Sequence, residues 1–333
     1  MIDWRKKYEY EIDGIIVTDN KIYKRQNKNP EHAFAFKMII SDQVAEAKVV
    51  DVIWTPSKNG YLKPRVRIEP VNIGGVNIEY ATGFNAKFIE SNKIGVGAVI
   101  EIIRSGDVIP YIKSITMPAD EPKMPNKSYH WTETRIDIIL DNMEEDDTVQ
   151  QKNITDFFTT IKVEGLSSGN VKRLMNAGFD TIPKIIYMTK EDYETVDGFG
   201  KKMIDKIYDG IQNRLNQSSL IDIMVASNIF GRGIGDKKIR LIMNKYPEIL
   251  NLTNTVLDRK SLLLEIDGIG EENANGFIRN IERFLVFLDE IKLTYKLSEK
   301  PMIVIPKKNE THILNGKNVV MTKVRDANIL AAL

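Results

Sequence analysis

Four short glycine-flanked segments in the second half of this 333-residue chain carry the residue types that hold an anion. Glu164-Gly165-Leu166-Ser167, Asp197-Gly198-Phe199-Gly200, Arg232-Gly233-Ile234-Gly235 and Asp267-Gly268-Ile269-Gly270 share one pattern. Their first glycines lie 33, 35 and 35 residues apart. Glycine adopts backbone angles that side-chained residues resist, and a turn without side chains can approach another molecule closely. A helix that starts directly after such a turn points its free N–H groups outward. Those donors, helped by the helix dipole, form a site for phosphate. Lys201, Lys202, Lys237 and Lys238 follow the second and third turns and add positive charge. Contacts of this kind address a sugar-phosphate backbone and not a base sequence. Ser167 replaces the second glycine in the first copy, and Glu271-Glu272 follow the fourth, so the second and third turns are expected to carry most of the binding.

The elements that must position these turns are helices. Each unit reads as an apolar-periodic segment, the glycine turn and a second helix, such as Lys201–Ile211 or Lys237–Met243. Leu166, Phe199, Ile234 and Ile269 are expected to pack inward and hold each helix pair together. A period near 34 also fits a helical solenoid of the tetratricopeptide kind. That repeat places small and aromatic residues inside its helices, whereas these units concentrate glycine at the turn. The glycines alone could also be helix C-caps, a reading that suits one copy better than four in register.

Upstream, Ile12–Val17, Val49–Trp54, Arg65–Ile68 and Val99–Arg104 are β-branched or alternating runs. Asn59-Gly60, Gly74-Gly75 and Ser105-Gly106-Asp107 supply turns between them. With one helix near Asn85–Asn92, they predict a small five-stranded barrel. The fold class is therefore multidomain α+β, a small β-barrel followed by an all-α domain. Charge divides the two. Residues 48–115 hold nine basic and six acidic side chains, a net of +3, whereas residues 116–150 hold three and nine, a net of −6. Pro118, Pro122, Pro125 and Glu144-Glu145-Asp146-Asp147 make the second stretch read as an exposed connector with one strand at Ile136–Leu140.

Composition narrows the classes further. The chain has no cysteine, which excludes disulfides and cysteine-ligated metals. His130 stands alone in the connector and makes no metal site. No apolar run reaches the ~18 residues of a membrane helix, and the first residues lack the apolar core of a signal peptide. An intracellular protein with no membrane partner is expected. A net charge of +1 does not by itself announce a polyanion, so nucleic-acid contact must come from local arrangement.

The four turns within Ile161–Ile291 resemble the helix-hairpin-helix domain of NAD-dependent, bacterial-type DNA ligases, whose paired hairpins grip duplex DNA across the minor groove. Pro64-Arg65-Val66-Arg67-Ile68-Glu69-Pro70-Val71 and Arg104-Ser105-Gly106-Asp107-Val108-Ile109-Pro110 resemble the OB-fold of the same family. Taken alone, Val108-Ile109-Pro110 also suits a strand end closing the barrel. The resemblance implies that Val108 and Ile109 press on sugars beside the nick, as apolar wedges do. It also implies that Arg67 and Arg104 contact phosphate. Gly165, Gly198, Gly200, Lys201, Gly233, Gly235, Lys237, Gly268 and Gly270 would complete the DNA-binding set.

Glu11-Ile12-Asp13-Gly14-Ile15-Ile16-Val17 and Ala33-Phe34-Ala35-Phe36-Lys37 read on composition as ordinary strands. Their order and spacing resemble motifs IV and V of nucleotidyltransferases. The resemblance makes Asp13 and Lys37 catalytic, with Asp13 assisting a Mg ion and Lys37 contacting the AMP phosphate. It places Glu11, Gly14 and Ile16 beside them at the nucleotide, Ile16 against adenine. The implied cofactors are NAD, through an N-terminal part that the resemblance covers only at its end, and Mg, with no zinc.

Residues 1–40 would thus end an adenylation domain, 41–117 form the OB-fold, and 118–155 replace the family's four-cysteine zinc finger with an acidic linker. Residues 156–298 would form the hairpin domain, and 299–333 a linker with the start of a BRCT domain. The Lys-x-Asp-Gly nucleophile motif is absent, so this chain alone is expected to be inactive. Thr18 stands where bacterial members carry a lysine. The expected partners are nicked duplex DNA, bound independently of sequence, and a separate N-terminal ligase half. The cytoplasm, or a viral factory, would be the place of action. A non-catalytic OB and hairpin DNA-binding protein is the alternative. A nuclease or helicase subunit is a weaker one, because no phosphate-binding loop or nuclease metal cluster is visible.

Overall fold

The computed structural model describes residues 2–10, 12, 14–24, 29–36, 44–105, 109–250 and 255–298. A short helix, α1 (Ile2–Lys7), precedes a two-stranded antiparallel ribbon of β1 (Ile15–Thr18) and β2 (Ala33–Phe36), with Ile16 opposite Ala35. The expected strand at Ile12–Val17 is thus found shorter, starting at Ile15 and ending at Thr18.

Five strands then close a barrel in the order β3-β4-β5-β7-β6: β3 (Val44–Pro56), β4 (Leu62–Ile73), β5 (Val76–Thr82), β6 (Val99–Ser105) and β7 (Ile109–Met117). Alternation drives it. On β4, Leu62, Pro64, Val66 and Ile68 are buried while Lys63, Arg65, Arg67 and Glu69 face solvent, the pattern of a strand with one wet face. Gly74 and Gly75 both take positive φ at the two-residue β4–β5 turn, which a side chain would resist. A helix, α2 (Ala86–Ser91), packs Ile89 into the barrel core with Val66, Ile100 and Ile102. Asn85 caps it, its side-chain oxygen accepting from Phe88 N at 2.9 Å.

The acidic connector is not an exposed spacer. β8 (Tyr129–Trp131) and β9 (Ile138–Leu140) pair as a small hairpin. Ile138 and Leu140 are buried with Leu62, Ala86 and Val149. The indole N–H of Trp54 donates to Lys123 O at 2.9 Å, pinning the connector to the barrel. The acidic residues that dominate its composition sit largely on the turns, and alternate apolar residues were enough to seat it.

Ten helices follow among the described residues: α3 (Asp147–Thr160), α4 (Ser168–Asn176), α5 (Ile182–Ile186), α6 (Lys190–Glu194), α7 (Lys201–Gln217), α8 (Leu220–Ser227), α9 (Asp236–Lys245), α10 (Val256–Leu264), α11 (Glu271–Arg279) and α12 (Ile281–Glu290). One buried cluster runs through them from Ile154 to Leu293. Phe157 on α3 meets Phe287 on α12 edge to face at 5.8 Å. A solenoid, whose repeats touch only their neighbours, has no such contact. No helix among the described residues is long and apolar enough to cross a membrane.

The ring of Phe277 is fully buried and stacks on Phe230 at 4.7 Å, at the centre of the last two hairpins. Phe277→Ala is expected to cost about 3–5 kcal/mol, the range for a deleted core aromatic, measured as a lowered midpoint in chemical denaturation.

Candidate nucleic-acid interface

The four turns share one backbone. Gly165, Gly198, Gly233 and Gly268 take φ of 96°, 83°, 89° and 84°, the left-handed region that favours glycine. The next residue in each, Leu166, Phe199, Ile234 or Ile269, is buried, as the sequence implied. The fourth position, Ser167, Gly200, Gly235 or Gly270, is the N-cap of α4, α7, α9 or α11 and is extended.

None of these four helices has a side-chain cap, not even α4, whose N-cap is a serine; α12, which follows α11 directly at Asn280, also lacks one but has no glycine turn before it. The helices that lead into the turns are all capped. Asp146 caps α3, and Thr189, Ser219 and Thr255 form capping boxes on α6, α8 and α10. The first two N–H groups after each glycine turn are therefore left for an outside acceptor, while in α7 the third, Met203 N, donates to Gly200 O at 2.8 Å. A Cβ added at Gly200, Gly235 or Gly270 would meet nothing within 4 Å, so these caps face open space.

The turns are held in pairs. Lys206 on α7 reaches Glu164 in the first turn at 2.6 Å. Arg173, the matching position of α4, lies over Gly198 in the second, where an added Cβ would collide with its guanidinium. The two hairpins thus exchange equivalent contacts. In the other pair Lys238 donates to Asn273, which occupies the equivalent place one repeat later. Arg173 and Lys206 were not singled out in the sequence, although both sit at equal distances after their glycines.

Lys201, Lys202 and Lys237 are exposed beside the second and third turns, as anticipated. Lys238 is instead engaged by Asn273. Asp236, in the first turn of α9, opposes an incoming anion, and Arg240 lies 2.7 Å from it. Glu271 and Glu272 are exposed at the start of α11. The first turns of α4 and α7 contain no acidic residue.

On the barrel, Arg67 is exposed on β4, in register between Asp51 and Tyr80. Arg65, two residues earlier on the same face, stacks over the Tyr80 ring at 3.7 Å, a position the strand alternation could have flagged. Arg104 and Ile109 lie at paired positions on β6 and β7, opposite Pro110 and Ser105. Their side chains lie outside the described residues, as does Val108 entirely. Glu11, Asp13 and Lys37 also lie outside them, as do residues 299–333. Gly14 precedes β1, and Ile16 is 78% exposed on it. No group of three His, Cys, Asp or Glu among the described residues could hold a metal. No chemical step through NAD or Mg follows from them.

Barrel and hairpins meet at the β3–β4 turn. Lys58 pairs with Asp156 on α3 at 2.6 Å, and Lys152 donates to Pro56 O at 2.6 Å. The amide of Asn228 donates to Asn59 Oδ1 at 2.7 Å and to Asn153 Oδ1 at 2.9 Å. Arg232, next to Gly233, donates to Asp137 at 3.1 Å and lies 4.2 Å over the Tyr61 ring. Burial pushes the Asp137 carboxyl up, but hydrogen bonds from Lys63 and Arg232 outweigh this and hold it below the usual carboxylate range.

Residues 46–123 match the NAD-dependent DNA ligase OB-fold domain, and residues 157–213 match the SAM-like helix-hairpin-helix tandem. A DNA ligase of Acanthamoeba polyphaga mimivirus is 43% identical over 327 residues, which span 97% of this chain and 50% of the viral protein. A protein of Invertebrate iridescent virus 3 is 35% identical over 74% of this chain and 33% of its own length. A DNA ligase of Shewanella baltica is 27% identical over 94% of this chain and 49% of its own. The chain thus spans half or less of the length of these relatives.

Because Gly200 and Gly235 have ordinary φ and open surroundings, side chains there test the partner and not the fold. Gly200→Leu with Gly235→Leu is expected to shift folding stability by no more than about 1 kcal/mol per site. Affinity for duplex DNA should fall at least about tenfold, since one hydrogen bond to a charged group contributes ~1.5–3 kcal/mol. Fluorescence anisotropy beside a thermal melt measures both, and an unchanged affinity would remove the phosphate role of the turns.

Proposed function

We propose that this chain, whose barrel matches the NAD-dependent DNA ligase OB-fold domain, is a DNA ligase family member and forms the part of a nick-sealing enzyme that grips nicked duplex DNA. The observation that carries this reading is the set of four uncapped helix N-termini behind glycine turns, beside an OB barrel with Arg65 and Arg67 on one exposed strand face. Backbone amides and arginines of this kind hold phosphates without reading bases, so binding is independent of sequence and weakens steeply with salt. Arg67, Arg104, Val108 and Ile109 form the barrel's contact beside the nick. Gly165, Gly198, Gly200, Lys201, Gly233, Gly235, Lys237, Gly268 and Gly270 form the hairpins' contact.

In the complete reaction a lysine takes AMP from NAD, AMP passes to the 5′-phosphate, and the 3′-hydroxyl displaces it. The sequence contains no Lys-x-Asp-Gly motif, so a front half supplies that lysine. Asp13 with a Mg ion and Lys37 at the AMP phosphate complete the adenylate site, together with Glu11, Gly14 and Ile16. The ribbon of β1 and β2 supports the need for a front half. Ile16, Phe34 and Phe36 are exposed on it, and a two-stranded ribbon is marginal alone. Residues 118–155 replace the zinc finger of relatives, and 299–333 begin a BRCT domain. The place of action is intracellular, in replication and repair. A non-catalytic OB and hairpin DNA-binding role is the alternative.

Incubation with labelled NAD and nicked duplex tests the two readings. The chain alone is expected to bind the duplex, form no AMP adduct and seal nothing, whereas a front half carrying Lys-x-Asp-Gly restores sealing. An adduct on the isolated chain would contradict the proposed inactivity. Failure to seal with any front half would favour the non-catalytic reading.

A further inference from the structure

We propose that Asp137 is a positioning residue that locks the barrel's cationic strand face and the third hairpin turn into one DNA-binding frame. This rests on the duplex-binding reading above. Asp137 stands just before β9 in the connector, 8% exposed. Its Oδ1 accepts from Lys63 Nζ at 2.8 Å and its Oδ2 from Arg232 Nη1 at 3.1 Å. Lys63 begins the exposed face of β4 that continues through Arg65 and Arg67. Arg232 directly precedes Gly233, and its guanidinium also lies over Tyr61 in the β3–β4 turn. One carboxylate thus joins the two surfaces that contact phosphate, through a segment that belongs to neither.

Two phosphate-binding surfaces on one chain act together only if both reach the same duplex. A fixed spacing turns the second contact into an intramolecular one, worth roughly 10²–10⁴ in avidity. Without the carboxylate, Lys63 and Arg232 become neighbouring cations with no shared anion, and the third turn loses its fixed orientation against β4, although Lys58–Asp156 and Asn228–Asn59 still hold the β3–β4 turn to the helices. Charge alone predicts the opposite outcome. Removing an acidic group from a DNA-binding protein normally strengthens its hold on a polyanion.

The test compares the full chain with Asp137→Asn on a long nicked duplex that spans barrel and hairpins, and on a short duplex that only one surface can cover. The expected result is a loss of about tenfold or more on the long duplex, with no loss on the short one. A general folding defect would lower both. Should Asp137→Asn fold poorly, Arg232→Gln leaves the Asp137–Lys63 pair in place and is expected to lower the long-to-short affinity ratio in the same way. Equal or tighter binding of the long duplex by the variants, with the wild type binding well, would overturn this inference alone. A wild-type chain that binds neither duplex would overturn the duplex reading and this inference together.

Discussion

A helix that begins without a capping side chain leaves N–H groups with no partner inside the molecule, at a cost of about 1 kcal/mol at each end. In this protein that deficit recurs behind all four glycine turns, and α12 shares it without such a turn. The helices entering the four turns have Asp146, Thr189, Ser219 or Thr255 at their starts. The helices leaving them have none. Glycine at both flanks of the last three turns, and at one flank of the first, clears the approach, and the buried apolar residue between anchors the turn. The remaining features of the helical region serve this constraint, because bare amides are useful only when the turns that present them are held still. The shared core and the reciprocal contacts of Arg173 and Lys206 do so within the first pair, as Lys238 with Asn273 does in the second.

The barrel offers phosphate a different chemistry. Its exposed strand face presents arginines on a rigid sheet, with Arg65 stacked on Tyr80 so that its plane is set by an aromatic ring. Amides favour close, direction-dependent contact, whereas guanidinium groups reach further. The packed connector is what relates the two. Its acidic residues do not repel the assembly because Asp137 is shared by two cations and Asp146 is spent on capping α3.

Much of this was legible in the residues. Three of the five barrel strands, β3, β4 and β6, followed from β-branched or alternating runs, the helix near Asn85–Asn92 was placed, and the hairpins followed from glycines at a fixed spacing, whereas β5 and β7 were not singled out. Those signals are local, and local signals survive in a single sequence. The connector was misjudged because its net charge averages over turns and strands, while Ile138 and Leu140 alternate beneath it. Arg232 was visible only as part of a turn. Its partner Asp137 lies 95 residues away, a distance that no local pattern bridges. Nor could residue types show that Ser167 does not cap α4, since serine is a favoured cap.

The most direct measurement is amide hydrogen exchange of the isotopically labelled chain with and without nicked duplex. Protection is predicted at the backbone amides of Lys201–Lys202 and Asp236–Lys238, the first residues after the second and third glycine turns, with little change at the side-chain-capped starts of α8 and α10. Amides after the glycine turns that exchange equally fast with DNA bound, while protection gathers elsewhere, would contradict the claim that these turns hold the phosphodiester backbone.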